Sequence, residues 1–127
     1  MQNHPTISTQ RCLLRLVQQS DVERVHNIQS TPEVARYNTL PIPKDISESQ
    51  LMVDNWMKEF DKDKIDNYTF VIEDKENKEF LGLFGLKLGR AKYQNAEVWY
   101  KLFPEHWGKG IATEAVNAVL KLSLIHI

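Results

Sequence analysis

Three apolar runs separated by polar stretches, ending at Leu102, constrain the fold more than any other feature of the chain. Tyr68-Thr69-Phe70-Val71-Ile72 is built from aromatic and β-branched residues that suit a pleated surface. Residues 74–78 follow as a charged turn with Asn77 near its tip. Phe80–Leu88 reads as the next strand, and glycines at 82 and 85 point to close backbone approach or a bulge there. After Tyr93 to Asn95 comes Ala96–Leu102, which alternates cleanly. Ala96, Val98, Tyr100 and Leu102 point one way, and Glu97, Trp99 and Lys101 the other. Pro104 ends it. Strands in this order form a meander, so the sheet is expected to be largely antiparallel.

The segments on either side supply one more strand and the helices. Cys12-Leu13-Leu14-Arg15-Leu16-Val17 is apolar enough for a first strand, with Arg15 on its wetter face. Ser20 reads as an N-cap, with Asp21 favourable in the first turn and Val22, Val25 and Ile28 at helical spacing. Thr31-Pro32-Glu33 is a second start signal, opening a short helix through Val34 and Ala35 towards Tyr37. The two prolines between Asn38 and Pro43 demand a loop. Ser47 with Gln50 suggests a capping box ahead of a long helix in which Val53, Trp56, Met57 and Phe60 share a face. Ala112, Ala115, Val116 and Val119 mark a final helix. Strand, helices, three strands and helix make an α+β domain.

Size and charge narrow the function. A chain of 127 residues supports one domain, and its formal charge of −1 is not that of a protein gripping nucleic-acid phosphates. A single cysteine, Cys12, forms no internal disulfide and reads as core. The histidines at 4, 26 and 106 are scattered, so no metal is expected. Met52 and Trp56 read as core packing. The longest apolar run, Phe80 to Leu86, falls far short of the roughly 20 residues of a membrane helix. The opening MQNHPTISTQ has neither the basic start nor the apolar stretch of a signal peptide. The expectation is a soluble, cytoplasmic domain with no membrane partner.

Chemistry concentrates in Trp107-Gly108-Lys109-Gly110-Ile111-Ala112-Thr113, between the last strand and the last helix. Two glycines allow the backbone close to an anion, and a turn feeding a helix N-terminus presents unpaired amides to it. Lys109 adds charge. A glycine-rich turn that binds nothing is the competing reading. A P-loop would need Lys-Ser/Thr after Gly110, where Ile111 stands, and a dinucleotide fingerprint would need glycine at Thr113.

The stretch from Asn95 through Trp99, Pro104 and Gly110 to Ala115 resembles the fourth strand and pyrophosphate loop of the GNAT N-acetyltransferases, with closest similarity to the subgroup of ribosomal-protein-alanine N-acetyltransferases. Arg11 to Leu16 resembles that subgroup's first strand, Thr31 to Tyr37 its Thr-Pro-Glu-Val-Ala-Arg-Tyr segment, and Phe70 to Gly85 its second and third strands. The resemblance implies acetyl-CoA as acetyl donor, no metal, and a primary amine as acceptor, either a protein N-terminus or a small amine such as an amino sugar, polyamine or antibiotic. By position, the backbone at Tyr100 and Leu102 would bond the pantetheine arm. The amides of Trp107, Gly108, Lys109, Gly110, Ile111 and Ala112 would hold the pyrophosphate. The family pattern starts with Arg or Gln where Trp107 stands, which removes a polar contact.

On the acceptor side, direct transfer needs a base for the ammonium, often acting through water. Glu97 is the carboxylate on the appropriate strand; a solvated strand carboxylate is the alternative. Trp99 is read either as a wall of the acceptor pocket or as a core aromatic. Tyr37 and Asn38 would line the cleft, although turn chemistry also explains Asn38. Glu114 suits the first turn of a helix. A non-catalytic CoA-binding or regulatory module is the alternative to an enzyme, and an interaction domain that binds no nucleotide is a third.

The resemblance also implies roughly 50 further residues, including a fifth strand and a helix bearing a Tyr acid, for a domain of usual size. Residues 1–127 are therefore expected to be a partial domain with little activity alone. Leu122-Ser123-Leu124-Ile125-His126-Ile127 reads either as sequencing-adapter sequence foreign to the protein or as the natural end of the last helix.

Overall fold

The computed structural model describes residues 6–34, 42–61, 67–88 and 96–126. Five strands, β1 (Ile7–Ser8), β2 (Cys12–Leu16), β3 (Asn67–Asp74), β4 (Phe80–Leu88) and β5 (Ala96–Leu102), pair in chain order, every neighbour antiparallel. Among the described residues three long helices accompany them: α1 (Val22–Gln29), α2 (Ile46–Phe60) and α3 (Ile111–His126). The α+β architecture and the meander agree with the sequence expectation. The β1–β2 hairpin was not expected, because two residues are too few to establish a period.

Register sorts the side chains into rows. Arg15, Val71, Leu83 and Lys101 are successive partners across the sheet and share one face. Leu14, Ile72, Gly82 and Leu102 form the neighbouring row on the other. α1 and α2 cover the first face: Gln29 meets Lys101, and Trp56 meets Trp99. α3 packs on β1, β2 and β5, burying Ile111, Ala115 and Val119. Val22, Val25 and Ile28 of α1 and Val53 and Phe60 of α2 enter the core as their spacing required.

Arg15 is not on a wet face. Its guanidinium makes two 2.8 Å bonds to Asp21 and one of 3.3 Å to Glu73, and its side chain is only 21% exposed. Asp21 also accepts from the Gln18 N–H, so it and not Ser20 organises the helix start. Residues Gln19–Asp21 form a 3₁₀ turn, and Asp21 is the N-cap of α1. At α2 the cap is Asp45, which accepts from the amides of Ser47 and Glu48, while Glu48 reaches back to the Lys44 N–H at 2.6 Å. The Ser47/Gln50 pairing competes with Asp45/Glu48 at nearly the same place, and the carboxylate, the stronger acceptor, prevails. Thr31 does not cap: its hydroxyl donates to the Asn27 carbonyl, and 32–34 are helical. The remainder of that expected helix, with the start of the proline loop, lies outside the described residues.

Candidate active site

β5 is the last strand of the described sheet, so one side of its backbone ladder is open. A groove of about 550 Å³ runs along it, lined by Trp99, Tyr100, Leu102, Trp107, Gly108 and the first turn of α3. Gly108 and Gly110 both have φ of +77°, the left-handed region that L side chains disfavour. The Gly110 carbonyl accepts from the Glu114 N–H at 3.0 Å, the first bond of α3. The amides of Ile111, Ala112 and Thr113 therefore have no acceptor within the helix, and the positive end of the dipole adds to them. The glycines thus bring the chain round so that a helix start opens on the groove, the arrangement an anion such as a pyrophosphate requires.

Trp107 turns its one polar side-chain atom back onto the chain. Its indole N–H donates to the Leu102 carbonyl at 2.9 Å, tying the turn back to β5. Of the residues expected to bind the cofactor, Tyr100, Leu102, Trp107, Gly108, Gly110, Ile111 and Ala112 line this groove together; Lys109 lies between the two glycines.

On the α1/α2 face the indole of Trp99 lies over Gly85, its cross-strand partner. A Cβ at Gly85 would stand 1.9 Å from Trp99 Nε1. Trp56 packs against the same indole, with ring centroids 6.0 Å apart. Trp99 is half-buried and lines the groove while its indole packs against Trp56. Lys101 is the surprise of this strand. It is only 7% exposed, its ammonium donates to Gln29 Oε1 and lies 5.6 Å from the Trp99 ring centroid, and burial pushes its pKa down to about 8. Alternation placed Lys101 correctly beside Trp99, but gave no sign that the face was dry. Glu97 pairs in register with Lys87, two positions before Trp99. Tyr37 and Asn38 lie outside the described residues.

Cys12 is 1% exposed and its thiol is pushed up by burial, as befits a core residue. His26 shares a 2.9 Å hydrogen bond with the Ser49 hydroxyl. His106 is buried with Nε2 3.7 Å from Glu105 and 3.9 Å from Glu79, beyond hydrogen-bond length. Glu114 does more than complement a dipole. Arg11 and Thr9, neither of them singled out from the sequence, hold its carboxylate. The 103 positions separating Arg11 from Glu114 leave no local signal for that pairing.

Comparison with known proteins agrees with this geometry. Residues 11–125 match the model of the acetyltransferase (GNAT) domain. An uncharacterized N-acetyltransferase of Bacillus subtilis, YoaA, is 28% identical over 116 residues, which is 91% of this chain and 64% of that protein. The chain thus spans about two-thirds or slightly less of its curated relatives' length. The crystal structure of a spermidine N-acetyltransferase from Vibrio cholerae, in complex with CoA and spermine, is 25% identical with a TM-score of 0.71, covering 89% of this chain and 63% of that one. A GNAT-family acetyltransferase from Bacillus anthracis shares the fold with a TM-score of 0.78 at 21% identity, over 96% of this chain and 68% of its own. Among the described residues no helix is long and apolar enough to cross a membrane. With the family match running through both the meander and the glycine turn, the chain belongs to the GNAT acetyltransferase family.

Proposed function

We propose that the protein containing this chain transfers the acetyl group of acetyl-CoA directly to a primary amine. The observation that carries this reading is the groove along the open edge of β5, closed at one end by the left-handed glycines and the free amides of α3. The pantetheine arm would add to the Tyr100–Leu102 edge as an extra strand, and the pyrophosphate would lie against residues 107–112. A neutral amine then attacks the thioester carbonyl carbon. The C–N bond forms, the C–S bond breaks, and the CoA thiolate leaves and takes up a proton. Glu97 removes the ammonium proton beforehand, through a water. Trp99 would wall the acceptor side, and the family resemblance assigns Tyr37 and Asn38 to the same acceptor. The acceptor is a protein N-terminal amine or a small amine; the spermine bound to the Vibrio cholerae relative supports an amine in general.

The test uses the full-length protein, acetyl-CoA and a panel of peptide N-termini, polyamines and amino sugars, with thiol release as readout. Turnover with one acceptor class is expected, and Glu97→Gln lowers kcat by roughly 10²-fold with acetyl-CoA binding intact. Acetyl-CoA that raises the melting temperature without transfer to any amine would instead identify a non-catalytic binding module.

A further inference from the structure

One guanidinium joins the β1–β2 hairpin to both parts of the glycine turn. Arg11 Nε donates to Glu114 Oε1 at 2.8 Å, and the Arg11 backbone N–H donates to Oε2 at 2.9 Å. The Thr9 hydroxyl donates to the same Oε2. A different nitrogen of that guanidinium, Nη1, donates to the Lys109 carbonyl at 3.0 Å. Thr9 is itself fixed, since its hydroxyl accepts from the Cys12 N–H at 2.9 Å and its carbonyl accepts from the Lys75 ammonium. Burial works to raise the Glu114 carboxyl, and the bonds from Thr9 and Arg11 outweigh it, holding the group below its ordinary value. Neither Arg11 nor Glu114 lines the groove.

The direction of a peptide decides what its amide can bind. Across a trans peptide the carbonyl and the following N–H point opposite ways, so a bond that holds the Lys109 carbonyl towards Arg11 turns the Gly110 N–H away from it. Glycine alone would leave that peptide free to rotate, because Gly108 and Gly110 permit many backbone angles. We propose that Thr9, Arg11 and Glu114 are positioning residues that fix the amides of the Gly108–Gly110 turn for a pyrophosphate, acting from behind the groove. The proposal rests on the acetyl-CoA reading above.

The experiment measures Kd for CoA and for pantetheine, which lacks the pyrophosphate, and KM for the acceptor. It uses full-length wild type, Arg11→Ala, Arg11→Lys, Glu114→Gln and the Arg11→Ala/Glu114→Gln double variant. Each single removal is expected to weaken CoA binding roughly tenfold, as loss of a charged hydrogen bond does. The double variant should be no worse than either single, because the residues act as one unit. Pantetheine binding and acceptor KM should not move, and Arg11→Lys should not rescue, since an ammonium cannot span both acceptors as the planar fork does. Should Arg11→Ala fail to fold, Thr9→Val removes one donor and should weaken CoA about threefold. A silent Glu114→Gln with rescue by Arg11→Lys would mean that Arg11 meets phosphate directly, and would overturn the proposal. So would equal losses for CoA and pantetheine, or lowered stability with unchanged CoA affinity. Wild type binding CoA no more tightly than pantetheine would overturn the acetyl-CoA reading itself, and this proposal with it.

Discussion

Two pairs of glycines stand at opposite ends of the groove's history, and each pair is glycine for a different reason. Gly82 and Gly85 in β4 have ordinary strand geometry but no room: a Cβ at 82 would lie 2.1 Å from the Lys101 carbonyl, and one at 85 would lie 1.9 Å from the Trp99 indole. Gly108 has open space around it and Gly110 meets nothing nearer than Arg11 at 3.5 Å, yet both carry φ of +77°. The first pair lets β5 and its tryptophan settle on the sheet. The second lets the chain turn so that amides face the groove. One answers crowding, the other backbone conformation.

The largest expected effect comes from crowding the β4 pair. Gly85→Ala should cost about 3 kcal/mol in urea unfolding, because the indole has nowhere to go between β4 and Trp56. The double variant Gly85→Ala/Trp99→Leu should recover much of that, whereas Gly82→Ala, which meets a backbone oxygen, should not be rescued by the same trimming. Equal rescue at both sites would break the distinction between side-chain and backbone crowding. Next in size, Gly108→Ala should cost about 1–2 kcal/mol, from backbone conformation alone. Gly108→Asn should recover part of it, since Asn tolerates the left-handed region better. A cost at Gly108 as large as at Gly85 would erase the contrast between the two pairs.

The last test asks how dry the crowded face is. Lys101 has its pKa lowered to about 8 from an ordinary 10.5, so the folded chain loses this proton before the unfolded chain does. Between those values the unfolded state binds more protons, and stability gains with rising pH. Below about 8 the full burial penalty applies. Lys101→Met should therefore be favoured over wild type most at pH 7, with the difference narrowing towards pH 10. A difference that does not change with pH would show that the face around Trp99 admits water.

Much of this was readable in advance where the physics is local. Alternation in Ala96–Leu102 put Trp99 and Lys101 on one face, as the contacts of both show, and the pair at 82 and 85 announced close approach. That a helix start opens on a groove followed from glycines before a helix. What escaped was set by tertiary partners. Arg15 looked like a solvent marker until Asp21 and Glu73 closed on it, and Lys101 looked ordinary until Gln29 and Trp99 covered it. Glu114 could be explained by the dipole alone, so its distant partners left no trace. The α2 cap shows a subtler limit: two adequate signals two residues apart, Asp45 and Ser47, are ranked only by acceptor strength.

The three tryptophans of the chain occupy three different stations: Trp56 on α2, Trp99 on β5 and Trp107 at the head of the glycine turn. Trp56 and Trp99 lie close enough for their excited states to couple, while Trp107 is 42% exposed and hydrogen-bonded to the strand beneath it. The protein thus carries its own optical reporters. Near-ultraviolet circular dichroism should follow the integrity of the indole pair, and emission from Trp107 should register occupancy of the turn. Single Trp→Phe variants would separate the two signals without attaching any label.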